Sequence, residues 1–126
     1  MKEVDIIDAL KGSMHQSQAD VSLSIGDDGA IIDLDHTKQM VTVTDAISAD
    51  VHYPAGIEAE AIGYRSLAVN LSDIAAMGGV ARWANLVFSI PSINPDWIKG
   101  FVKGFSGQSL GLIRDNLIRS LEKVAT

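Results

Sequence analysis

The segment Glu58–Gly79, EAEAIGYRSLAVNLSDIAAMGG, constrains this chain more than any other. Tyr64, Leu67, Ala68, Leu71, Ile74 and Ala75 recur at helical spacing, which predicts a helix. Ile62, Val69 and Met77 lie off that stripe and are apolar too, so the helix is expected to be covered on more than one side. Within it Ser66, Asn70 and Asp73 stand at i, i+4 and i+7, one narrow polar line. Asp73 falls near the C-terminal end, where the helix macrodipole disfavours a negative charge. A desolvated carboxylate in that position needs a cation, either a basic side chain or a metal. The alternative is a helix-end acid that simply reaches water.

Acids upstream bear on that choice. Val21–Ile25 (VSLSI) alternates apolar and polar residues, a strand signature, and runs into Gly26-Asp27-Asp28-Gly29 before Ala30–Leu34 resumes an extended apolar pattern. Paired Asp between glycines can also be an ordinary turn. The calcium-loop spacing and its terminal Glu are absent. Met40–Thr44 alternates again and Asp45 ends it. Asp27, Asp28, Asp45 and Asp73 thus form a constellation of oxygen ligands of the kind that suits a hard cation. Mg²⁺ carrying phosphates typically uses just a few carboxylates plus water. His52, in the run Val51-His52-Tyr53-Pro54, either contacts a substrate phosphate or is structural. Neither GxxxxGK[ST] nor GxGxxG occurs, so any bound phosphates must be held by metals and backbone amides.

The remaining patterns describe a small α/β domain. Asp33–Lys38 reads as a solvated polar turn, and Ala81–Ile90 as a strand with Ala84, Leu86, Phe88 and Ile90 on one face. Asn94-Pro95-Asp96 is a helix start, followed by an apolar stripe of Trp97, Ile98, Phe101, Val102 and Phe105. Val4, Ile7 and Leu10 suggest a short first helix stopped by Gly12. Leu110, Ile113, Leu117, Leu121 and Val124 mark an amphipathic helix over Gln108–Val124. The expected fold is a small mixed sheet of about three to four strands with helices on one face, in one domain of 126 residues. A net charge of -6 argues against nucleic-acid binding, and the absence of cysteine removes disulfides, thiolate metal sites and thiol nucleophiles. With no signal-peptide core and no apolar run long enough to span a membrane, a cytoplasmic protein is expected.

Gly26-Asp27-Asp28, Thr44-Asp45, Val51-His52-Tyr53 and above all Leu67–Gly79 (LAVNLSDIAAMGG) together resemble the N-terminal domain of thiamine-monophosphate kinase. That family belongs with aminoimidazole ribonucleotide synthetase, selenophosphate synthetase and the hydrogenase-maturation dehydratase. The order and spacing of the four motifs are similar over roughly Val21–Phe105. The resemblance implies ATP-dependent phosphorylation of thiamine phosphate to thiamine diphosphate. It assigns Asp28, Thr44, Asp45 and Asp73, with Asp27 beside them, to Mg²⁺ ions bridging the ATP phosphates. Asn70 is assigned to the nucleotide and His52 to the thiamine phosphate, and no side chain to covalent catalysis. It further implies a homodimer in which two sheets close into one β-barrel.

Two departures stand out. Arg65 replaces a common Lys, keeping the charge, and Val80-Ala81 replaces an acidic-Pro pair. After Phe105 the likeness ends, with no GGDT-like strand and no second α/β domain. The expected division is residues 1–105 as the ATP- and Mg²⁺-binding domain and 106–126 as a C-terminal helix. The alternatives are a non-catalytic nucleotide-binding or dimerisation module, and a related enzyme with a different acceptor.

Overall fold

The computed structural model describes residues 5, 7, 8, 21–23, 29–92 and 94–109. Among them Asp5, Ile7 and Asp8 are helical, in keeping with the short first helix. Strand β1 (Val21–Leu23) pairs antiparallel with β2 (Ile31–Ile32), in the register Val21 to Ile32 and Leu23 to Ile31 with an irregularity between. The connection carrying Asp27 and Asp28 therefore joins neighbouring antiparallel strands. Helices α1 (Ala59–Ala76) and α2 (Pro95–Ser109) follow. The α/β class is as expected.

Helix α2 starts as its sequence dictates. Asn94 Oδ1 accepts from the backbone N–H groups of Asp96 at 3.0 Å and Trp97 at 3.3 Å, and Pro95 occupies the first helical position, where no N–H is needed. Its buried stripe is the core of the molecule: Ile98, Phe101, Val102 and Phe105, joined by Ile62 and Leu67 of α1 and by Leu86 and Phe88. The Trp97 ring stacks on Phe101 at 5.4 Å and Phe101 on Phe105 at 5.9 Å, while Phe88 meets Phe101 edge-on at 4.4 Å. Trp97 is thus a core residue, as its position in the stripe predicts. The helix continues through Ser106 and Gly107 to Ser109, across the expected boundary at residue 105; the rest of the expected Gln108–Val124 helix lies outside the described residues.

The two long helices meet backbone to backbone. A methyl group added at Gly104 would fall on the Glu60 carbonyl, and one at Gly63 on the Phe101 carbonyl. At Gly100 it would stand 3.1 Å from Ala59 Cβ. Small residues on both faces let the helices approach closely enough for the aromatic stripe to close over Ile62 and Leu67. This contact selects which side of α1 is covered, and it corrects the predicted face. Ile62, Gly63 and Leu67 are buried, whereas Tyr64 is 53% exposed and Met77 65% exposed. On the outside Lys103 Nζ reaches Glu60 Oε2 at 3.1 Å; both side chains are solvated, so the pair adds little stability.

The expected strands Met40–Thr44 and Ala81–Ile90 do not form as strands. Residues 84–90 keep the facing pattern nonetheless: Leu86 and Phe88 are buried, Ala84 and Ile90 half-buried, and Val87 is 59% exposed. The alternation records an extended segment laid against the helix layer. A strand also requires a hydrogen-bonded neighbour along its length, and the ladder among the described residues joins β1 and β2. The sheet is accordingly two-stranded where three to four strands were expected.

The glycine contact yields a paired prediction. Gly104→Ala gains about 1 kcal/mol of helix propensity but forces backbone apart, and overpacking of this kind costs roughly 1–3 kcal/mol or more. The expected net is destabilisation in urea unfolding. Gly107→Ala, on the same helix with nothing within 4 Å of the added methyl, is expected to raise stability.

Candidate functional site

Three segments carry the expected ligands, and one of them is helix α1. Its C-terminus closes in a Schellman arrangement: Gly78, at φ 70°, donates its N–H to the Ala75 carbonyl at 3.0 Å, and Gly79 donates to the Ile74 carbonyl at 2.9 Å. The left-handed backbone there is why glycine follows Met77. Asp73 sits one turn before this end, in a helix with no basic residue in its last turn. Its carboxylate is exposed and has no ion-pair partner among the described residues. The expectation of a desolvated Asp73 is therefore corrected: Asp73 is exposed, while Ser66 and Asn70 of the same line are half-buried. The unfavourable end-of-helix position stands, with no basic residue in the last turn of the helix to offset it.

The other members of the line turn back on their own helix. Ser66 Oγ donates to the Ile62 carbonyl at 2.7 Å, and Asn70 Nδ2 donates to the Ser66 carbonyl at 2.9 Å. Both are half-buried. The Asn70 amide is thereby oriented, with its Oδ1 left as an acceptor. Thr44 and Asp45 lie exposed in the extended segment before the next loop, and Asp45 has no ion-pair partner among the described residues. Val41 of the same segment approaches the end of α1, its Cβ standing 4.0 Å from the position of a methyl on Gly79. Asp27 and Asp28 lie outside the described residues. Among the described residues no group of three His, Asp or Glu side chains could hold a metal ion. Asp45 and Asp73 are the only carboxylates of the expected set found there.

His52 belongs to a tightly bonded loop. The backbone N–H groups of Val51 and His52 donate to the Ser48 carbonyl at 3.3 and 2.9 Å, and Asp50 N–H donates to the Tyr53 carbonyl at 2.7 Å. Asp50 adopts φ 61°, a left-handed conformation that Asp tolerates better than most side chains. The Ser48 backbone N–H donates to His52 Nδ1 at 2.9 Å. An open depression of about 370 Å³ lies over Asp50, Val51, His52, Tyr53 and Pro54. The sequence singled out His52 and gave no sign of its bond to Ser48, since a backbone donor leaves no trace in residue type.

Asp35, by contrast, is consumed within its own turn. The Thr37 hydroxyl and backbone N–H donate to Asp35 Oδ1 at 2.6 and 2.9 Å, and Lys38 Nζ stands 3.7 Å from Oδ2. The Thr37 hydrogen bonds hold the Asp35 carboxyl below its ordinary range. This is the solvated turn that the sequence predicts.

The family described as AIR synthase related protein, N-terminal domain, matches residues 26–109, well over half of the chain. The chain belongs to this family. Its matched span contains every expected ligand from Asp27 to Asp73. Among curated relatives, the thiamine-monophosphate kinase of Bacillus subtilis (strain 168) is 37% identical over 105 residues, covering 82% of this chain and 31% of the relative. That of Escherichia coli (strain K12) is 35% identical over 88 residues, covering 70% and 27%. The crystal structure of thiamine-monophosphate kinase from Stenotrophomonas maltophilia K279a superposes with a TM-score of 0.78 at 35% identity, covering 97% of this chain and 37% of that one. The chain thus spans between a quarter and a third of the curated relatives it matches.

The exposed position of Asp73 at the end of α1 generates a stability prediction. In chelator, Asp73→Asn is expected to raise unfolding free energy by about 0.3–1 kcal/mol, because a negative charge leaves the negative end of α1. A loss of stability in urea titration would mean that Asp73 has a stabilising contact in the apo chain.

Proposed function

We propose that this chain is the nucleotide- and metal-binding part of a thiamine-phosphate kinase, which transfers the ATP γ-phosphoryl group to thiamine phosphate. The observation that carries the reading is the likeness to thiamine-monophosphate kinases at 35–37% identity, over a span that includes the whole expected ligand set. The donor chemistry agrees. Asp45 and Asp73 offer exposed carboxylates with no ion-pair partner among the described residues, and Thr44 adds a hydroxyl. Asp27 and Asp28 complete an all-oxygen set suited to Mg²⁺. Bound there, Mg²⁺ would offset charge on the phosphates during an in-line transfer. The chain's own residues position and orient. Asn70, fixed by its bond to the Ser66 carbonyl, presents Oδ1 to the nucleotide, and His52 presents its ring to the acceptor phosphate.

In this reading the protein is a homodimer. The Met40–Thr44 and Ala81–Ile90 segments, with Met40, Val41 and Val87 exposed, form no ladder among the described residues, and a second copy would pair with them by closing a barrel. Among the described residues no helix is long and apolar enough to cross a membrane.

Calorimetry with Mg²⁺ and ATP tests the metal reading. Binding by the wild-type chain, reduced at least tenfold in Asp45→Asn and Asp73→Asn, is the expected result. No binding in the wild type would return Gly26–Gly29 to an ordinary turn. Because the chain spans about a third or less of its relatives, the 126-residue polypeptide alone is expected to bind nucleotide without forming thiamine diphosphate. A coupled ADP-release assay with chromatography of the product checks this, and turnover near one per second, in the usual enzyme range, would contradict it.

A further inference from the structure

Ser48 and His52 are bonded to each other twice. The His52 backbone N–H donates to the Ser48 carbonyl at 2.9 Å, and the Ser48 backbone N–H donates to His52 Nδ1 at 2.9 Å. The second bond has a chemical consequence. A backbone N–H can only donate, so Nδ1 must be the acceptor and must carry no proton. The neutral imidazole then holds its proton on Nε2. That nitrogen has no hydrogen-bond partner among the described residues, and the side chain is exposed on the rim of the depression over residues 50–54. The loop is held in place by the left-handed Asp50 and its bond to the Tyr53 carbonyl.

We infer that the Ser48 backbone acts as a positioning group, fixing His52 in the Nε2–H tautomer so that the ring offers a neutral, directional hydrogen bond to a phosphate oxygen of the ligand. With Asp50 on the same rim, the loop provides a donor and not a positive charge. The inference rests on the reading of His52 as a contact to the acceptor phosphate, and it adds which nitrogen makes that contact and what holds it there.

Two substitutions separate the two ring nitrogens. Asn carries its polar atoms where Nδ1 lies, so His52→Asn keeps an acceptor for Ser48 and removes the distal donor. Gln carries its amide near the position of Nε2, so His52→Gln keeps a distal donor and removes the acceptor for Ser48. On the full 126-residue chain, ¹⁵N spectra of the imidazole are recorded at alkaline pH. They are expected to show Nδ1 unprotonated and Nε2 protonated. Protonated Nδ1, or an average of the two tautomers, overturns the inference whatever binds.

Calorimetry then follows thiamine phosphate, with inorganic phosphate as a second probe. His52→Asn is expected to keep the wild-type melting temperature and weaken binding about tenfold, the loss of one hydrogen bond to a charged group. His52→Gln is expected to melt lower yet bind within a few-fold of wild type. A purely structural histidine would make binding follow melting temperature in both variants, and that pattern overturns the donor role. Binding of inorganic phosphate alone, with the same crossed pattern, supports the donor while removing thiamine phosphate as acceptor. No binding of either probe to the wild-type chain leaves the donor with no oxygen to serve and overturns the inference.

Discussion

The approach of α1 to α2 at Gly63 and Gly104 is the contact on which the rest of the structure depends. Each glycine lies against a carbonyl of the opposite helix, so no side chain can separate the two backbones. Close approach brings Phe101 and Phe105 over Ile62 and Leu67 and lets Phe88 enter from the extended segment. The Ser66, Asn70 and Asp73 line continues from that face toward the C-terminal end of α1, with Ser66 and Asn70 half-buried and Asp73 exposed.

The function proposed for this frame is electrostatic. Phosphoryl transfer depends on holding charged groups in line, and little covalent chemistry is needed from the protein. A rigid helix ending in a Schellman turn suits that task, because it presents Asp73 at a fixed height from a C-terminus whose dipole does not favour it. The disfavoured carboxylate gains most when a cation arrives. The His52 loop serves the same end by other means, spending backbone hydrogen bonds to orient one ring.

Much of this was legible in the sequence, for identifiable reasons. Asn94-Pro95-Asp96 encodes a cap by residue type, and the cap forms as written. The Trp97 to Phe105 stripe encodes a buried face by period, and it is buried. The covered face of α1 was misread because glycine contributes nothing to a hydrophobic pattern, while Gly63 decides the packing. Tyr64 and Met77 were counted as apolar and lie largely open. Ala81–Ile90 reads as a strand in the sequence because alternation reports which side faces the core, not whether a neighbour completes the ladder. Apolar neighbours in sequence suggest a desolvated Asp73, yet its position near the end of α1 leaves it exposed. The family likeness was legible because four short motifs kept their order and spacing.

The central claim is that Asp27, Asp28, Asp45 and Asp73 gather around one cation site at the end of α1. Paramagnetic broadening of backbone amides by Mn²⁺, titrated in the presence of ATP, reads that gathering directly. Joint loss of the amides of Gly26–Gly29, Thr44–Ala46 and Ser72–Ile74 at the same low Mn²⁺ concentration is the predicted result. Broadening confined to one of these segments, or spread evenly over the exposed acids of the surface, would contradict the claim.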